Sequence, residues 1–478
     1  MIKKVNNKNL DNALLVFRST SKNVEAYKKF LIKNKISAKN ILNNGDFESI
    51  PVMDKSNYLL AYKPKELVPF SKFPSMISAS SGSSGKPYYW PRSEKQEIRG
   101  AKIHRVILKD IFKINKKRTL AIICFSMGNW VAGTYTLSSL RKISNDSDFN
   151  LSIITPGMDK NDIIQILNNF AVNFESVVIF GYPPFLMDVI LEAKESGVDF
   201  KKFELYFIFA GENFSEKWRD IIFKHANIPN KLNRSVSIYG TADAGVLGHE
   251  NPFTILVRKL ALENKNFRKE LLGDTSFIPT IVSYYPEETY FESINGELVF
   301  TTDSGIPLIR YNIKDHGILS SYNYIASLIK KCGLSNFIDK DLMKWKNPII
   351  ILKGRNDVLI TFYGLNIYPE NIKAGLEDSK VLDSVTGKYT VKVDYIKKFC
   401  EQKLKISVEL KKNILQSDEI KKIITDSIVD NLLKLNTEYR KLFSSIDVRA
   451  IPEIILLNNG NDLFIIKKSK HKWVQKDS

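Results

Sequence analysis

The sequence predicts an α/β protein with two domains of unequal size. The large N-terminal domain is expected to combine mostly parallel sheets and helices with a β subdomain, and the C-terminal domain to be small, mobile and α+β. Two observations lead to this prediction. After about residue 118, short and almost unbroken apolar runs alternate with helical segments, a pattern typical of parallel strands covered on both faces. The chain has 478 residues, a length at which two or three domains are expected.

The elements follow in order along the chain. Residues 1–60 have the apolar spacing of helices. The runs that predict parallel strands are TLAIICF (119–125), LSIITP (151–156), SVVIFG (176–181), ELYFIFAGE (204–212) and SVSIYG (235–240). From about residue 280 to 320 the polarity alternates with a period of two residues, which predicts the β subdomain. Later patterns predict strands near 389–395 and 404–410 and a helix over 417–434. We therefore expect domains at 1–356 and 357–478.

Composition excludes several classes of protein. Hydrophobic residues make up 44% of the chain, and it contains only 23 Gly and 17 Pro, so disordered and collagen-like chains are excluded. The net charge of +19 could attract a polyanion. Most of the lysines are scattered, however, which favours a solvated basic surface over a nucleic-acid partner.

The cysteines and the apolar segments indicate in which cellular compartment the protein is expected. The three cysteines lie far apart, which fits a reducing compartment and argues against a disulfide framework or a Cys-based zinc site. The N-terminus has no apolar core of a signal peptide. Residues 119–140 are uncharged but too polar for a lipid-facing helix, and they predict a strand, a loop and a helix start. We expect a cytoplasmic protein without a membrane span, either a monomer or a homodimer.

One loop is rich in small hydroxyl residues and glycine. Its backbone N–H groups, hydroxyls and lysine could wrap a polyphosphate. The alternative is a flexible Ser/Gly linker, against which the apolar flanks argue. It is not a Walker A loop, which requires glycine at position 80 and Ser or Thr at position 87. The residues of this predicted phosphate loop are Ser80, Ser81, Gly82, Ser83, Ser84, Gly85 and Lys86.

This loop resembles the phosphate loop of the adenylate-forming (acyl-CoA synthetase) superfamily, in particular of phenylacetate–coenzyme A ligases. Further segments resemble that family in the same order along the chain. They are IPVMDK (50–55), IFGYPPFL (179–186), FAGENFSEKWR (209–219), IYGTADAGVLGHE (238–250), GELVFTTDSGIPLIRYNIKD (296–315) and GRNDVLITFYGLNIYPENI (354–372).

The resemblance implies a ligase that uses ATP, Mg²⁺ and coenzyme A. Such an enzyme activates a carboxylic acid as an acyl-adenylate and then forms a thioester. Two alternatives remain open. The acyl group could pass to a carrier protein or an amine, or the chain could be a non-catalytic nucleotide- or nucleic-acid-binding derivative of the fold.

The resemblance also implies roles for individual residues around the nucleotide. Gly211 would let the backbone approach the adenine, Tyr239 would pack on it, and Asp315 would accept the ribose hydroxyls at the end of a β segment. Ordinary turns, a core tyrosine or a surface salt bridge are the alternative explanations. The predicted nucleotide contacts besides the phosphate loop are Ala210, Gly211, Glu212, Tyr239, Gly240, Thr241, Asp315 and Arg355.

Asp243 is the expected ligand of Mg²⁺. The family usually has Glu at this position after Ser or Thr, whereas this chain has Ala242-Asp243. The shorter carboxylate can still bind a hard cation through oxygen. The alternative is that Asp243 caps the N-terminus of a helix. The five histidines show no metal-ligand spacing.

The catalytic lysine and the hinge are expected in the C-terminal part. The segment Ser469-Lys470-His471-Lys472-Trp473-Val474 resembles the family's Gly-Lys-x-x-Arg-Val segment, with Ser in place of Gly and Trp in place of Arg, and predicts Lys470 as the catalytic residue. A neighbouring lysine or a solvated basic tail are the alternatives. Asp357 resembles the hinge residue about which the small domain rotates.

An aromatic pocket is expected to hold the acid. Such a pocket suits an aryl or medium acyl group. Its predicted lining residues are Phe125, Trp130, Phe180, Tyr182, Pro183, Phe185 and Phe209.

Overall fold

The computed structural model describes residues 10–80, 88–273, 278–355, 360–362, 365–367, 369–396 and 401–464. The chain groups into two compact units. The first consists of the chain up to Asn213, Phe223–Arg258 and Thr280–Lys353, and the second of Phe214–Ile222, Lys259–Pro279 and the chain from Gly354 onward. The predicted domain boundary and the hinge at Asp357 lie outside the described residues and stay predictions.

Helices account for much of the described chain. Their bounds are α1 (Leu10–Asn23), α2 (Glu25–Lys33), α3 (Asn44–Glu48), α4 (Pro64–Leu67), α5 (Glu94–Val106), α6 (Val131–Ser144), α7 (Lys160–Gln165), α8 (Pro183–Glu195), α9 (Glu216–His225), α10 (Pro252–Glu263), α11 (Lys265–Leu272), α12 (Tyr322–Lys331), α13 (Pro369–Leu376), α14 (Asp418–Leu435) and α15 (Thr437–Ile446).

The strands of the described residues fall into one large sheet and three small ones. Their bounds are β1 (Met76–Ser80), β2 (Tyr88–Arg92), β3 (Arg118–Cys124), β4 (Asn150–Ile154), β5 (Ser176–Gly181), β6 (Glu204–Ala210), β7 (Ser235–Thr241), β8 (Gly245–His249), β9 (Thr280–Ser283), β10 (Tyr290–Ile294), β11 (Glu297–Thr302), β12 (Leu308–Ser320), β13 (Ile349–Arg355), β14 (Ile360–Phe362), β15 (Leu365–Ile367), β16 (Val385–Ile396), β17 (Glu401–Leu410) and β18 (Glu453–Leu457).

Within the part of the chain that the structure describes, the large sheet has eleven strands in the order β10-β11-β12-β13-β9-β8-β7-β6-β5-β3-β4. Its second half, from β7 to β4, is parallel, as the unbroken apolar runs predict. The remaining strands pair antiparallel wherever the pairing is described. The β region predicted from the period-two pattern is therefore continuous with the parallel strands within one sheet.

Local sequence explains how helices begin beside the strand ends. Ser93 accepts a hydrogen bond from the Gln96 backbone N–H and starts α5 directly after β2. Pro183 occupies the first turn of α8, where its missing N–H costs nothing. A Cβ atom at Gly181 would lie 2.7 Å from the Leu186 side chain, so a larger residue here would require the Leu186 side chain to shift.

The segment around Met53 lies against β12. The Met53 N–H donates to the carbonyl of Arg310 (3.0 Å), and the Asn312 N–H donates to the Met53 carbonyl (2.8 Å). The buried Arg310 guanidinium donates to the carbonyls of Glu48 and Ile50. The segment 50–55 is thereby held in register with the strand that carries Asp315.

The second unit has its own core. The antiparallel pair β16–β17 and the parallel neighbour β18 form a three-stranded sheet, and buried residues of α13 and α14 join its hydrophobic cluster. The strands predicted near 389–395 and 404–410 and the helix predicted over 417–434 are confirmed. Across the described residues, no helix combines the length and apolar character needed to cross a membrane.

Candidate functional site

Four neighbouring parallel strands end at the same edge of the large sheet. Cys124 on β3, Gly181 on β5 and Phe209 on β6 face one another in register, and Ala210 faces Ile238 on β7. The segments 210–212 and 239–241 therefore lie side by side, although they were predicted from separate motifs. Open α/β sheets bind ligands at the carboxyl ends of such strands.

The turn after β6 has a backbone that a ligand could approach closely. Gly211 has φ of +89°, a left-handed conformation that favours glycine, and it is exposed. Glu212 follows, and its carboxylate lies near the Tyr182 hydroxyl. Burial raises the pKa of Tyr182, and Glu212 raises it further. The ends of β5 and β6 thus carry residues that interact with each other.

Tyr239 and Asp315 are joined by a hydrogen bond. The Tyr239 hydroxyl donates to Asp315 Oδ2 over 2.6 Å. Tyr239 lies near the end of β7 and is half-buried, while Asp315 on β12 is buried. The structure thus brings together the residues predicted for the adenine and the ribose.

The sequence suggested that Asp315 lies at the end of a β segment, but it lies inside strand β12. Strand β12 continues to Ser320. Lys314 has φ of +68°, and the register shifts between the pairs Glu297↔His316 and Val299↔Asn312. Between these pairs, three residues of β12 (313–315) lie opposite one residue of β11, Leu298, which makes a bulge that includes Asp315. Bulges re-aim side chains and are frequent next to functional sites.

Asp243 lies in the turn of the hairpin between β7 and β8. Thr241 faces Gly245 across the hairpin, the Thr241 hydroxyl accepts a hydrogen bond from the Ala244 N–H (3.1 Å), and Gly245 has φ of +79°. The alternative that Asp243 caps a helix is wrong, because strand β8 follows directly. The Tyr311 hydroxyl donates to Asp243 Oδ2 over 2.5 Å, which orients the carboxylate.

Two buried arginines were missed by the sequence reasoning. The Arg92 Nη2 atom donates to the Ala242 carbonyl (2.5 Å), and the Arg99 Nη2 atom donates to the Ala244 carbonyl (2.8 Å). Both contacts cross about 150 positions of sequence. No local pattern signals these contacts, because Arg92 ends β2 while Arg99 lies on α5.

The predicted phosphate loop is flanked by an antiparallel hairpin. Ser80 ends β1 and faces Tyr88 on β2, and the Trp90 indole N–H donates to the Ser80 hydroxyl (3.1 Å). The Tyr88 and Trp90 rings lie 4.5 Å apart. Burial raises the pKa of Tyr88, and the charge of Asp243 contributes to that rise. The hairpin is therefore close to the Asp243 turn.

Two of the aromatic residues predicted for the acid pocket, Phe125 and Tyr182, contact each other. The Phe125 and Tyr182 rings contact edge to face at 5.1 Å, and the Phe180 ring lies 6.0 Å from the His104 ring. Pro183 and Phe185 follow in the first turn of α8. Trp130 precedes α6, where its carbonyl accepts from the Thr134 hydroxyl.

Phe180 and Phe209 cannot line the same pocket. Phe180 faces Ile208 in register, whereas Phe209 faces Gly181. Because successive side chains of a strand point to opposite faces, Phe180 and Phe209 lie on opposite sides of the sheet, and both are fully buried. The predicted set must therefore be divided between the two faces, with Phe180 and Phe209 on different sides.

Some predicted site residues lie outside the part of the chain that the structure describes. Arg355 ends β13, but only its backbone is described. The residues whose roles stay predictions for this reason are Ser81, Gly82, Ser83, Ser84, Gly85, Lys86, Asp357 and Lys470.

The described donors fit a divalent cation held partly by a substrate. Within the described ranges, no group of three or more His, Cys, Asp or Glu side chains could form a metal site made by protein alone. Mg²⁺ typically binds one or two carboxylates together with substrate phosphates and water. A single oriented carboxylate such as Asp243 matches that requirement.

Comparisons with known proteins locate this architecture among solved structures. No protein-family model matches the chain, and no curated protein matches it by sequence. A 2-hydroxyisobutyryl-CoA ligase in the postadenylation state is similar with a TM-score of 0.68 and 14% identity, covering 100% of this chain and 90% of the ligase. The same ligase with 2-HIB-AMP and CoA in the thioesterification state gives a TM-score of 0.53 at 14% identity, with 98% and 89% covered.

An acyl acid amido synthetase, AtGH3.15 in complex with 2,4-DB, is also similar in structure. Its TM-score is 0.59 at 13% identity, and the match covers 100% of this chain and 96% of the synthetase. The chain therefore has the fold of the adenylate-forming ligases. The resemblance predicted from the sequence motifs is confirmed at the level of the fold.

Proposed function

We propose that the protein activates a carboxylic acid with ATP through an acyl-adenylate and then forms a thioester with coenzyme A. The hydrogen bond between Tyr239 and Asp315 carries this proposal. It joins two residues that separate motifs assigned to one nucleotide, at the strand edge where this class of sheet binds ligands. The Asp243 turn directly follows β7, the strand that carries Tyr239.

Adenine would lie between the Gly211 backbone and the ring of Tyr239. The left-handed Gly211 leaves room for a flat base because it has no Cβ atom. Asp315 would accept hydrogen bonds from both ribose hydroxyls, since a carboxylate offers two acceptor oxygens. The bulge of β12 around Asp315 supports this role, because bulges re-aim side chains and are frequent next to functional sites.

In the first half-reaction, a carboxylate oxygen of the acid attacks the α-phosphorus of ATP. A new bond forms between that oxygen and phosphorus, and the bond to the bridging oxygen of pyrophosphate breaks. Both reactants are anions, so positioning and charge neutralisation are the main tasks. The loop 80–86 would hold the pyrophosphate and Lys470 the developing charge. Mg²⁺, when bound through Asp243, would neutralise phosphate charge.

In the second half-reaction, the thiol sulfur of coenzyme A loses its proton to solvent and bonds to the acyl carbon. The bond between that carbon and the phosphate oxygen breaks, and AMP leaves. Rotation of the small domain about Asp357 would first remove Lys470. The contact between Phe125 and Tyr182 supports an aromatic pocket near the strand ends. Such a wall suits an aryl or medium acyl group.

A second acceptor class has specific support. The similarity to an acyl acid amido synthetase extends over the whole chain, and the same adenylate could react with an amine instead of a thiol. The nucleotide site serves both outcomes, because the adenylate is common to them. An acyl carrier protein, whose phosphopantetheine thiol matches that of coenzyme A, is a further acceptor.

Pyrophosphate release tests the proposal. Protein, ATP and Mg²⁺ are incubated with a panel of aryl and medium-chain acids, and the acid is omitted in the control. We expect acid-dependent pyrophosphate for at least one acid, and acyl-CoA by mass spectrometry when coenzyme A is added. An amide formed with added amino acids instead would support the second acceptor class. A folded protein without affinity for ATP or AMP in calorimetry would contradict the proposal.

A further inference from the structure

Three buried polar side chains form a cluster beside the Asp243 turn. Arg92, Gln96 and Arg99 lie at the end of β2 and in the first turns of α5, each 3% exposed or less. Within the described chain, neither guanidinium forms an ion pair with a carboxylate. Burying a charged group without such a pair costs on the order of several kcal/mol in real proteins. The hydrogen bonds that these two arginines make must therefore offset that cost.

The backbone of the turn is their shared target. Arg92 donates to the carbonyl of Ala242 and Arg99 to that of Ala244. These carbonyls flank Asp243 on either side. Arg99 also donates to the Thr302 hydroxyl (2.7 Å) and the Asp303 carbonyl (3.0 Å), so it is tied to β11 as well. The Arg92 side chain makes no further hydrogen bond among the described residues, so its hydrogen bonding is directed at the turn alone.

The contacts leave the turn little freedom. Its backbone is held from the side of α5 by the arginines, and its carboxylate is held from the side of β12 by the Tyr311 hydroxyl. A Cβ atom at Gly245 would lie 2.9 Å from the Tyr135 hydroxyl, so the turn is also closely packed. Burial lowers the pKa of Arg92 to about 10, while Tyr135 and Asp243 act to raise it. Arg92 is therefore charged at neutral pH.

We propose that Arg92 and Arg99 are positioning residues that fix the Asp243 turn so that its carboxylate can bind the divalent cation accompanying ATP. The inference rests on the proposed function. It also explains how the shorter Asp can serve at this position: a side chain with one methylene fewer has less reach, so its backbone must be placed more rigidly.

Two binding measurements separate positioning from general structural support. Calorimetry gives the affinity for AMP without metal, which reports the Tyr239 and Asp315 contacts. It also gives the gain in ATP affinity when Mg²⁺ is added, which reports Asp243. The test variants are Arg92→Met, which removes the charge at similar volume, Arg92→Lys, and Tyr311→Phe. Arg234→Met is the matched control, because Arg234 contacts Glu204 and the Tyr206 ring at the opposite end of β7.

We expect Arg92→Met to reduce the Mg²⁺-dependent gain in ATP affinity at least about fivefold, while AMP affinity stays within about twofold. Tyr311→Phe should show the same pattern, Arg92→Lys should restore part of the gain, and the control should match the wild type. If a melting curve shows that Arg92→Met does not fold, Arg92→Lys and Tyr311→Phe decide the question.

The inference would be overturned if Arg92→Met lost AMP affinity and the Mg²⁺-dependent gain in ATP affinity to the same extent. It would also be overturned if the variants kept the full Mg²⁺-dependent gain in ATP affinity. Wild-type protein that binds AMP but gains nothing from Mg²⁺ would overturn the inference and leave the nucleotide site standing. Wild-type protein that binds neither nucleotide would overturn the proposed function itself.

Discussion

Asp315 connects sequence and site at the scale of one residue. Its hydrogen bond to Tyr239 spans 76 positions, and it is buried within a strand where a carboxylate needs a polar partner. Tyr239 supplies one donor. The two ribose hydroxyls would supply further donors. The Asp315 carboxylate would then bind the nucleotide through charge-assisted hydrogen bonds that replace its contacts with solvent.

Replacing Asp315 with Asn should weaken AMP binding by roughly 1–3 kcal/mol, because hydrogen bonds to a charged acceptor are lost. Calorimetry with AMP measures the effect. The difference between variant and wild type should vanish with 2′,3′-dideoxy-AMP, which lacks both hydroxyls. Asp303→Asn is the control, since Asp303 pairs with the exposed Lys95. An equal loss with both nucleotides would refute the ribose assignment.

At the scale of elements, α5 and β8 each contribute a histidine to the buried interior. His104 Nδ1 donates to the Gly100 carbonyl (2.8 Å). His249 Nδ1 donates to the Glu250 carbonyl, and its Nε2 accepts from the Tyr285 hydroxyl (2.9 Å). Burial lowers the pKa of each histidine from 6.5 to about 4. Both are therefore neutral in the folded protein at pH 7.

Stability should consequently fall as the pH drops from about 6.5 to 4. In that window the unfolded chain binds protons that the folded chain does not, so acid favours unfolding. Each histidine can contribute at most about 3 kcal/mol, at 1.36 kcal/mol per pKa unit.

His104→Asn keeps a donor near Nδ1 but does not titrate. We expect the variant to lose less unfolding free energy between pH 7 and pH 5 than the wild type, measured by urea denaturation at both values. Comparing pH values within each protein removes the packing cost of the substitution. An identical pH dependence in the two proteins would contradict the assignment.

For the whole molecule, the central question is how one chain serves two half-reactions. Lys470→Ala should reduce adenylate formation by orders of magnitude, because a cation near the developing phosphate charge is lost. Thioester formation from supplied acyl-adenylate should stay largely intact, because the lysine would be near the phosphate in only one domain orientation. The fall should appear in kcat more than in substrate affinity. Single-turnover assays of each half-reaction measure both.

Neighbouring lysines provide the controls for this prediction. A near-normal Lys470 variant beside an inactive Lys467, Lys468 or Lys472 variant would correct the register and keep the mechanism. Full activity after replacement of all four lysines would leave the chemistry without a cation at this position. A binding protein would then be the better account.

The sequence by itself determined the α/β class, the strands of the parallel half of the sheet and the order of the motifs. These features are local. An unbroken apolar run is buried on both faces wherever it lies, and consecutive helices return each strand in the same direction. Once the strands are parallel, segments 210–212 and 239–241 must meet at one edge. Assignment to a common nucleotide predicted that Tyr239 and Asp315 lie near each other, whereas the hydrogen bond between them is a finding of the structure.

Only the tertiary structure decided how the Asp243 turn is built. Sequence reasoning allowed a helix cap at Asp243, but the pairing of β7 with β8 makes it a hairpin. Arg92 and Arg99 reach carbonyls 150 and 145 positions away, and the bulge at Asp315 depends on the register of β11 against β12. Contacts over such distances produce no periodic pattern in the sequence. Every residue carries a backbone carbonyl, so these hydrogen bonds depend on where two segments meet in the fold and not on the type of residue that accepts them.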